Sequence, residues 1–316
     1  MANPNVGQLI ATTQKNRSDE IVDNVSNDNA LLSRLRAKGQ WISEDGGSTL
    51  ECLLDYAENG TGKFYAGGQD SWSIPVENVL DSASFDWKFY GIFTYVTEAE
   101  RVKNSGSHAV HKLAKAKIKN MDRTMANDIA ESMYSDGTGS GGLELGGLQL
   151  LVADDPTTGT VGGIDASTYT FWRNKYSAAA ATTSSNIQDR MKAMWLSIKR
   201  GKDTPDLILA DNDMFTYYWD SLDANQRYMS NKKGNVMDSQ SLMFEGAEVV
   251  YDGVCPDKHM YLLNTDHIYF NYAPGRLFNV EDARSVTNAN YDVIPGFFAG
   301  NLTVSRRASH GVIIAS

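Results

Sequence analysis

Hydrophobic and polar positions alternate along this chain with two clearly different periods. Residues 106–135 carry the strongest helical pattern: Val110, Leu113, Ile118, Met121, Met125, Ile129 and Met133 recur every three to four residues, with a single longer step. Ser105 or Ser107 supplies an N-cap and Gly137 a stop. About 29 helical residues would span roughly 43 Å, far beyond the roughly 11–12 residues of an ordinary globular helix. Two shorter helices are predicted. One covers 186–200, capped by Asn186 and stopped by Gly201. The other runs through Phe215, Tyr218, Trp219 and Leu222, capped by Asn212 or Asp213.

Elsewhere the period is two. Thr49 to Tyr56 and Lys63-Phe64-Tyr65 alternate around Glu58-Asn59-Gly60-Thr61-Gly62, which predicts a long β-hairpin with a glycine-rich tip. An isolated two-stranded hairpin is marginal in water, so this one should lie on a neighbour, in the same chain or another. Residues 85–98 form an aromatic strand whose parity switches at Gly91, suggesting a bulge. PDLILAD at 205–211 reads as a short buried strand. Later strands are expected at 246–251, 259–263, 267–270, 302–306 and 311–314. Residues 18–38 have sparse apolar positions at helical spacing, and we read 1–40 as a polar arm lying on another body. Residues 178–185, Ala then Thr and Ser rich, read as a flexible connection. The pattern is that of an α+β protein without internal repeats.

Composition narrows the function classes. The chain has 316 residues, 41% hydrophobic and 22% charged, enough for one large core or two linked ones. Its formal net charge of -10 disfavours nucleic-acid reading, although a container for DNA can be acidic and let the polymer slide. The N-terminal sequence lacks the layout of a signal peptide, and no apolar run reaches the roughly 20 residues of a membrane span, so no membrane partner is expected. Cys52 and Cys255 allow at most one disulfide, and the cysteine usage fits a reducing cytosol.

Candidate chemistry is thin. His108 and His111 have metal-compatible spacing but no third ligand in that helical turn, so they read as solvated helix-face residues. His259 and His267 flank a strand as ordinary polar groups. Asp154-Asp155 and Asp211-x-Asp213 are paired carboxylates of the kind glycosidases and Mg sites use. Asp213 is better explained as a helix cap and Asp155 as part of the turn before Pro156. No nucleophile elbow or phosphate loop is present, and neither a cofactor, a metal nor an enzymatic activity is expected.

The segment 141–174, GGLELGGLQLLVADDPTTGTVGGIDASTYTFWRN, has the character of a shaped structural element. Within it TTGTVGGID (157–165) and FWRN (171–174), and later SLMFEGAEVVYDG (241–253), carry a resemblance to the major capsid proteins of tailed bacteriophages. The same fold is used by encapsulins. The order of elements over nearly the whole chain is similar too.

The resemblance implies an N-terminal arm (1–44), an extended hairpin loop (45–84), and a peripheral domain (85–175) with its spine helix at 106–135. It further implies an axial α/β domain (176–316), with some late strands returning to the peripheral domain. It implies a shell subunit forming hexamers and pentamers of an icosahedral virion around double-stranded DNA, assembled in host cytoplasm. Implied partners are a portal and, since the chain has no room for a cleaved extension before its arm, a separate scaffolding protein; a decoration protein is compatible with it. An encapsulin-like compartment is the alternative, and a cytosolic hydrolase a more distant one. Subunit-contact candidates are Tyr56, Asn59, Lys63, Phe64, Tyr65 and Trp72; some relatives use an extended-loop lysine in an isopeptide, and Lys63 is the residue so placed. The spine helix is locally basic through Lys112, Lys115, Lys117, Lys119 and Arg123. Lys112, Lys115, Lys119 and Arg123 would form an inward face toward scaffold or DNA phosphates, against the plainer reading of a solvated face.

Overall fold

The structure is a computed structural model that describes residues 29–56, 62, 64, 79–103, 107–179, 181–222, 242–287 and 290–315. Side chains at 101, 103, 107–114 and 179 lie outside the description. The helices are α1 (Ala30–Ala37), α2 (Glu98–Lys103), α3 (Ser107–Ser132), α4 (Ile187–Ile198) and α5 (Asn212–Ser221), besides single helical and 3-10 turns. The strands are β1 (Trp41–Ser43), β2 (Thr49–Asp55), β3 (Leu80–Asp86), β4 (Lys88–Thr97), β5 (Thr160–Val161), β6 (Ile164–Asp165), β7 (Lys175–Ala179) and β8 (Leu207–Ala210). They continue as β9 (Leu242–Phe244), β10 (Ala247–Tyr251), β11 (His259–Leu263), β12 (Ile268–Tyr272), β13 (Asn279–Val280), β14 (Arg284–Ser285), β15 (Tyr291–Val304) and β16 (Gly311–Ala315).

Two larger sheets organise the molecule. One is built on β15, which pairs β12, β13 and β14 along one side and β4 along the other; β1 adds parallel to β12. The other is mixed, ordered β7-β16-β11-β8-β10-β9. Both of its faces are buried, and its strands alternate between two cores. Leu207, Leu209, Tyr261, Leu263 and Val312 face the core shared with α1, α3 and the β15 sheet. Ile208, Ala210, Met260, Leu262 and Ile313 face a second core under α4 and α5. That explains the continuous apolar run of LILA, since a strand covered on both faces has no polar parity.

Helix α3 has 26 residues, a few fewer than expected and roughly 39 Å long. Ile118, Met121, Met125, Ile129 and Met133 are all buried, as their spacing predicts. Met121 reaches Gly296 of β15 beside Ile92 of β4, so the helix lies on the β4–β15 ladder. Each such side chain adds about 1.5–3 kcal/mol relative to exposure. Val110 and Leu113 fall outside the described side chains.

Several sequence expectations are corrected. Thr49–Asp55 pairs with Leu80–Asp86, a run the sequence does not mark as a strand, while Lys63 and Tyr65 of the expected partner run lie outside the described residues. Ala83 and Phe85 complete the buried face begun by Leu50 and Leu54, so packing selects a strand with weak propensity of its own. The aromatic run 85–98 divides at Trp87 between β3 and β4. Gly91 carries no bulge: it pairs in unbroken register with Phe297, whose ring lies over it. The strand expected at 302–306 is the end of the 14-residue β15, whose Pro295, Gly296 and Gly300 mask it in sequence. Ala178, read as part of a flexible connection, pairs with Ile314 in β7–β16.

Helix caps also differ. Asp211, not Asn212 or Asp213, caps α5 by accepting from the Met214 N–H at 2.8 Å. Asn186 holds the N-cap position of α4 as expected, but its side chain turns back onto the Thr183 N–H and the Ala181 carbonyl and makes no cap bond to the helix. Finally, α1 is no loose arm: Leu31, Leu32 and Leu35 are fully buried in this chain's own core. Arg34 and Lys38 hold Asp206 at 2.9 and 3.2 Å. Residues 1–28 lie outside the described residues.

Candidate subunit-contact surfaces

The β2–β3 ribbon stands on a platform made by the glycine-rich segment. Gly162 and Gly163, at φ +60° and +77°, form the two-residue turn between β5 and β6. Among two-residue hairpin turns, type I′ requires positive φ at both positions. The Gly162 carbonyl accepts from the Ser84 N–H at 2.9 Å, and a Cβ there would stand 3.0 Å from Ala83 and Phe85. The Trp172 indole is buried and donates to the Val161 carbonyl at 2.8 Å. Tyr56 stacks on Phe171, ring centroids 4.8 Å apart. The second motif behaves alike: Glu245-Gly246 is the positive-φ turn joining β9 to β10.

The platform is locked from below by Arg307. This fully buried guanidinium donates to the carbonyls of Leu150, Leu151 and Trp172 and to Asn174 Oδ1. Burial lowers its pKa to about 10. Asn174 in turn bonds both backbone groups of Ala153. Nothing in the sequence marks Arg307, because it sits among polar residues after a strand.

Of the expected contact residues, Tyr56 is half-buried on Phe171, and Phe64 is fully exposed. Asn59, Lys63, Tyr65 and Trp72 lie outside the described residues. On α3, Lys115, Lys119 and Arg123 are exposed, while the Lys112 side chain is not described. Lys117 is engaged: its ammonium reaches Glu100 at 2.8 Å and the Tyr95 carbonyl at 2.8 Å. Hydrogen bonds from Lys117 and from Thr97 hold the Glu100 carboxyl down to about 2.

Sequence reading missed a second surface. Along β4, Phe89, Phe93 and Tyr95 share one parity and are 75%, 61% and 57% exposed, with Tyr291 of β15 across from Thr97. Leu143, 70% exposed, lines a groove of about 510 Å³ together with Phe89. The alternation of aromatics in KFYGIFTYVT was the available signal.

The titratable groups have structural partners. Asp154 meets His259 Nε2 at 3.0 Å, while His259 Nδ1 faces the Asp257 carbonyl at 2.7 Å. Burial pulls the His259 pKa down, but the bonds to Asp154 and Asp257 outweigh it and raise it. The Thr157 hydroxyl and N–H lower the Asp155 pKa. Asp213 is exposed. His267 bonds Asp203 at 3.1 Å. Both cysteines are free thiols; burial pushes the Cys255 thiol well above its ordinary range. Among the described residues no cluster of three metal-ligating side chains occurs, and no helix is long and apolar enough to cross a membrane.

No protein-family model matches the sequence, and no curated protein matches it. Solved structures do match. The cyanophage A-1(L) capsid subunit covers 87% of this chain and 90% of its own length, at 18% identity and TM-score 0.67. The chain has the fold of phage capsid proteins. A capsid subunit of a native GTA particle matches over 90% of both chains at 11% identity and TM-score 0.58. The holo-SrpI encapsulin of Synechococcus elongatus matches over 87% of this chain and 84% of its own at 9% identity and TM-score 0.56. The elements of this fold are mixed α+β.

Proposed function

We propose that this chain is a major capsid protein that assembles as hexamers and pentamers of an icosahedral shell around double-stranded DNA. The carrying observation is similarity to the cyanophage capsid subunit over nearly the full length of both chains. In this reading the arm expected over 1–44 is confined to the residues ahead of α1, 45–84 is the extended hairpin loop, 85–175 the peripheral domain and 176–316 the axial domain, with late strands returning to the peripheral domain. The loop, with Lys63, Phe64 and Tyr65, reaches a neighbouring subunit. The basic Lys112, Lys115, Lys119 and Arg123 of α3 face the interior, toward scaffold or phosphates. Single contacts can be weak, because a closed shell multiplies them. A separate scaffolding protein, a portal and a decoration protein are the expected partners, in a virion assembled in host cytoplasm.

Similarity to an encapsulin supports a second reading, a compartment enclosing a protein cargo. Co-expression with candidate scaffold genes, followed by negative-stain electron microscopy, tests the shell. Closed particles or capsomer rings are expected, and a monodisperse monomer under every condition would refute the proposal. Nuclease-protected DNA inside particles favours the virion; a co-purifying enzyme favours the compartment.

A further inference from the structure

Both ring nitrogens of His259 face acceptors. Nε2 stands 3.0 Å from Asp154 Oδ2, and Nδ1 stands 2.7 Å from the Asp257 carbonyl oxygen. An ionised carboxylate and a carbonyl have no hydrogen to give, and a neutral imidazole has a single N–H. Only the doubly protonated ring makes both bonds. The other histidines with described side chains differ. His267 places one nitrogen 3.1 Å from Asp203 and the other 3.3 Å from the Ser305 hydroxyl, which can donate, so a neutral ring serves both. His310 accepts the Asn264 N–H and is neutral in the fold.

The charged ring stands at a joint. His259 opens β11 on the mixed sheet, and Asp154 lies in the turn that leads from the helical turn at Leu148–Leu151 to β5 of the platform. That turn's Thr157–Asp155 bonds are internal to it, and its entry is fixed separately where Asn174 bonds Ala153. The Asp154 side chain is 47% exposed against 13% for His259, so the carboxylate can swing into water while the ring stays.

The surroundings favour the charge. Asp211, the N-cap of α5, holds the Lys258 N–H through Oδ2 and adds a second negative charge near the ring. The Tyr261 ring stacks on the imidazole at 6.0 Å, and the Cys255 thiol meets the His259 carbonyl at 3.7 Å. Ile314, opposite on β16, is uncharged, and the adjacent Lys258 is exposed.

We propose that His259 and Asp154 form a proton-operated latch between the platform segment and the mixed sheet. It is closed while the imidazolium grips the carboxylate. It opens when the Nε2 proton passes to water and the remaining Nδ1–H stays on the Asp257 carbonyl. The folded ring holds its proton more tightly than the ordinary 6.5 of a free histidine. The latch is therefore complete below about pH 6.5 and is lost as pH rises through the higher folded value. Acid stiffens the turn at 154–159, and base frees it.

Nitrogen NMR of the full-length chain with isotope-labelled histidine rings reads the proton directly. The His259 ring, assigned by its loss in His259→Gln, should carry both protons at about pH 6.5 and titrate above it. Asp154→Asn should bring that titration down. Amide exchange, corrected for the intrinsic effect of pH, reads the turn. Its 154–159 peptide should exchange about threefold faster at about pH 8.5 than at about pH 6, the scale of a part-exposed ion pair. The ratio should vanish in Asp154→Asn and His259→Gln and persist in His267→Gln. A His259 ring with one proton at about pH 6.5 overturns the latch. So does a turn whose exchange ignores pH, or follows it equally in Asp154→Asn. Should His259→Gln not fold, the ring is assigned as the one whose titration Asp154→Asn moves, and finding no such ring sinks the proposal as well.

Discussion

Arg307 has no carboxylate paired with it among the described residues, yet it is 1% exposed. Its charge is solvated by carbonyl dipoles from a helical turn and from the FWRN motif, so it acts as an internal clamp on the platform. Arg307→Ala strands several buried carbonyls, and thermal or urea unfolding should show a loss of about 3–5 kcal/mol. Arg307→Lys should fall between, because an ammonium lacks the planar fork.

His310 is the second buried base. Nδ1 accepts from the Asn264 N–H at 3.2 Å, which places the proton of the neutral ring on Nε2. Burial foremost, then His267 and Arg307, hold its pKa near about 3, against the opposing pull of Asp206 and Asp203. The unfolded chain takes up this proton at about pH 6.5 and the folded chain does not. Stability from this group is complete above that pH and declines as pH falls toward 3. Urea midpoints measured between pH 7 and pH 5 should drop less steeply for His310→Asn than for the parent.

At the scale of elements, β15 sets the geometry. A Cβ at Gly300 would meet the Asn271 carbonyl at 2.4 Å and the Phe298 ring at 2.8 Å, where β12, β15 and β4 converge. Gly300→Ala should cost about 1–3 kcal/mol in chemical denaturation. Gly91→Ala should cost less, since its nearest neighbour is a ring at 3.6 Å. The same strand shows where sequence reading ends. Periodicity exposes α3, LILA and the β11 run, because burial on a fixed period writes itself into the residues. β15 and β3 are hidden: Pro295, Gly296 and Gly300 tolerate a strand only inside close three-way packing, and LDSASFD is recruited by the face of β2. A hairpin was legible from Thr49 to Tyr56, but its partner Leu80–Asp86 was not, since LDSASFD carries little strand propensity of its own. The β4 aromatics were visible, but only the topology reveals that they border an open edge.

At the scale of the molecule, the net charge of -10 works against assembly. Subunits brought together repel at distances beyond a contact, and salt shortens that range from about 30 Å at 0.01 M to about 8 Å at 0.15 M. Particle yield followed by light scattering should therefore rise over this interval.

The mixed sheet with two buried faces has a further consequence. Neighbouring residues on β8, Leu207 and Ile208 for instance, belong to different cores, so neither core can melt while the shared strands survive. Heating the isolated subunit should give one cooperative heat-absorption peak, with calorimetric and van't Hoff enthalpies equal. Mechanical strain on α4 and α5 would then be felt beneath α3 through a common plate, making the subunit behave as a single stiff tile.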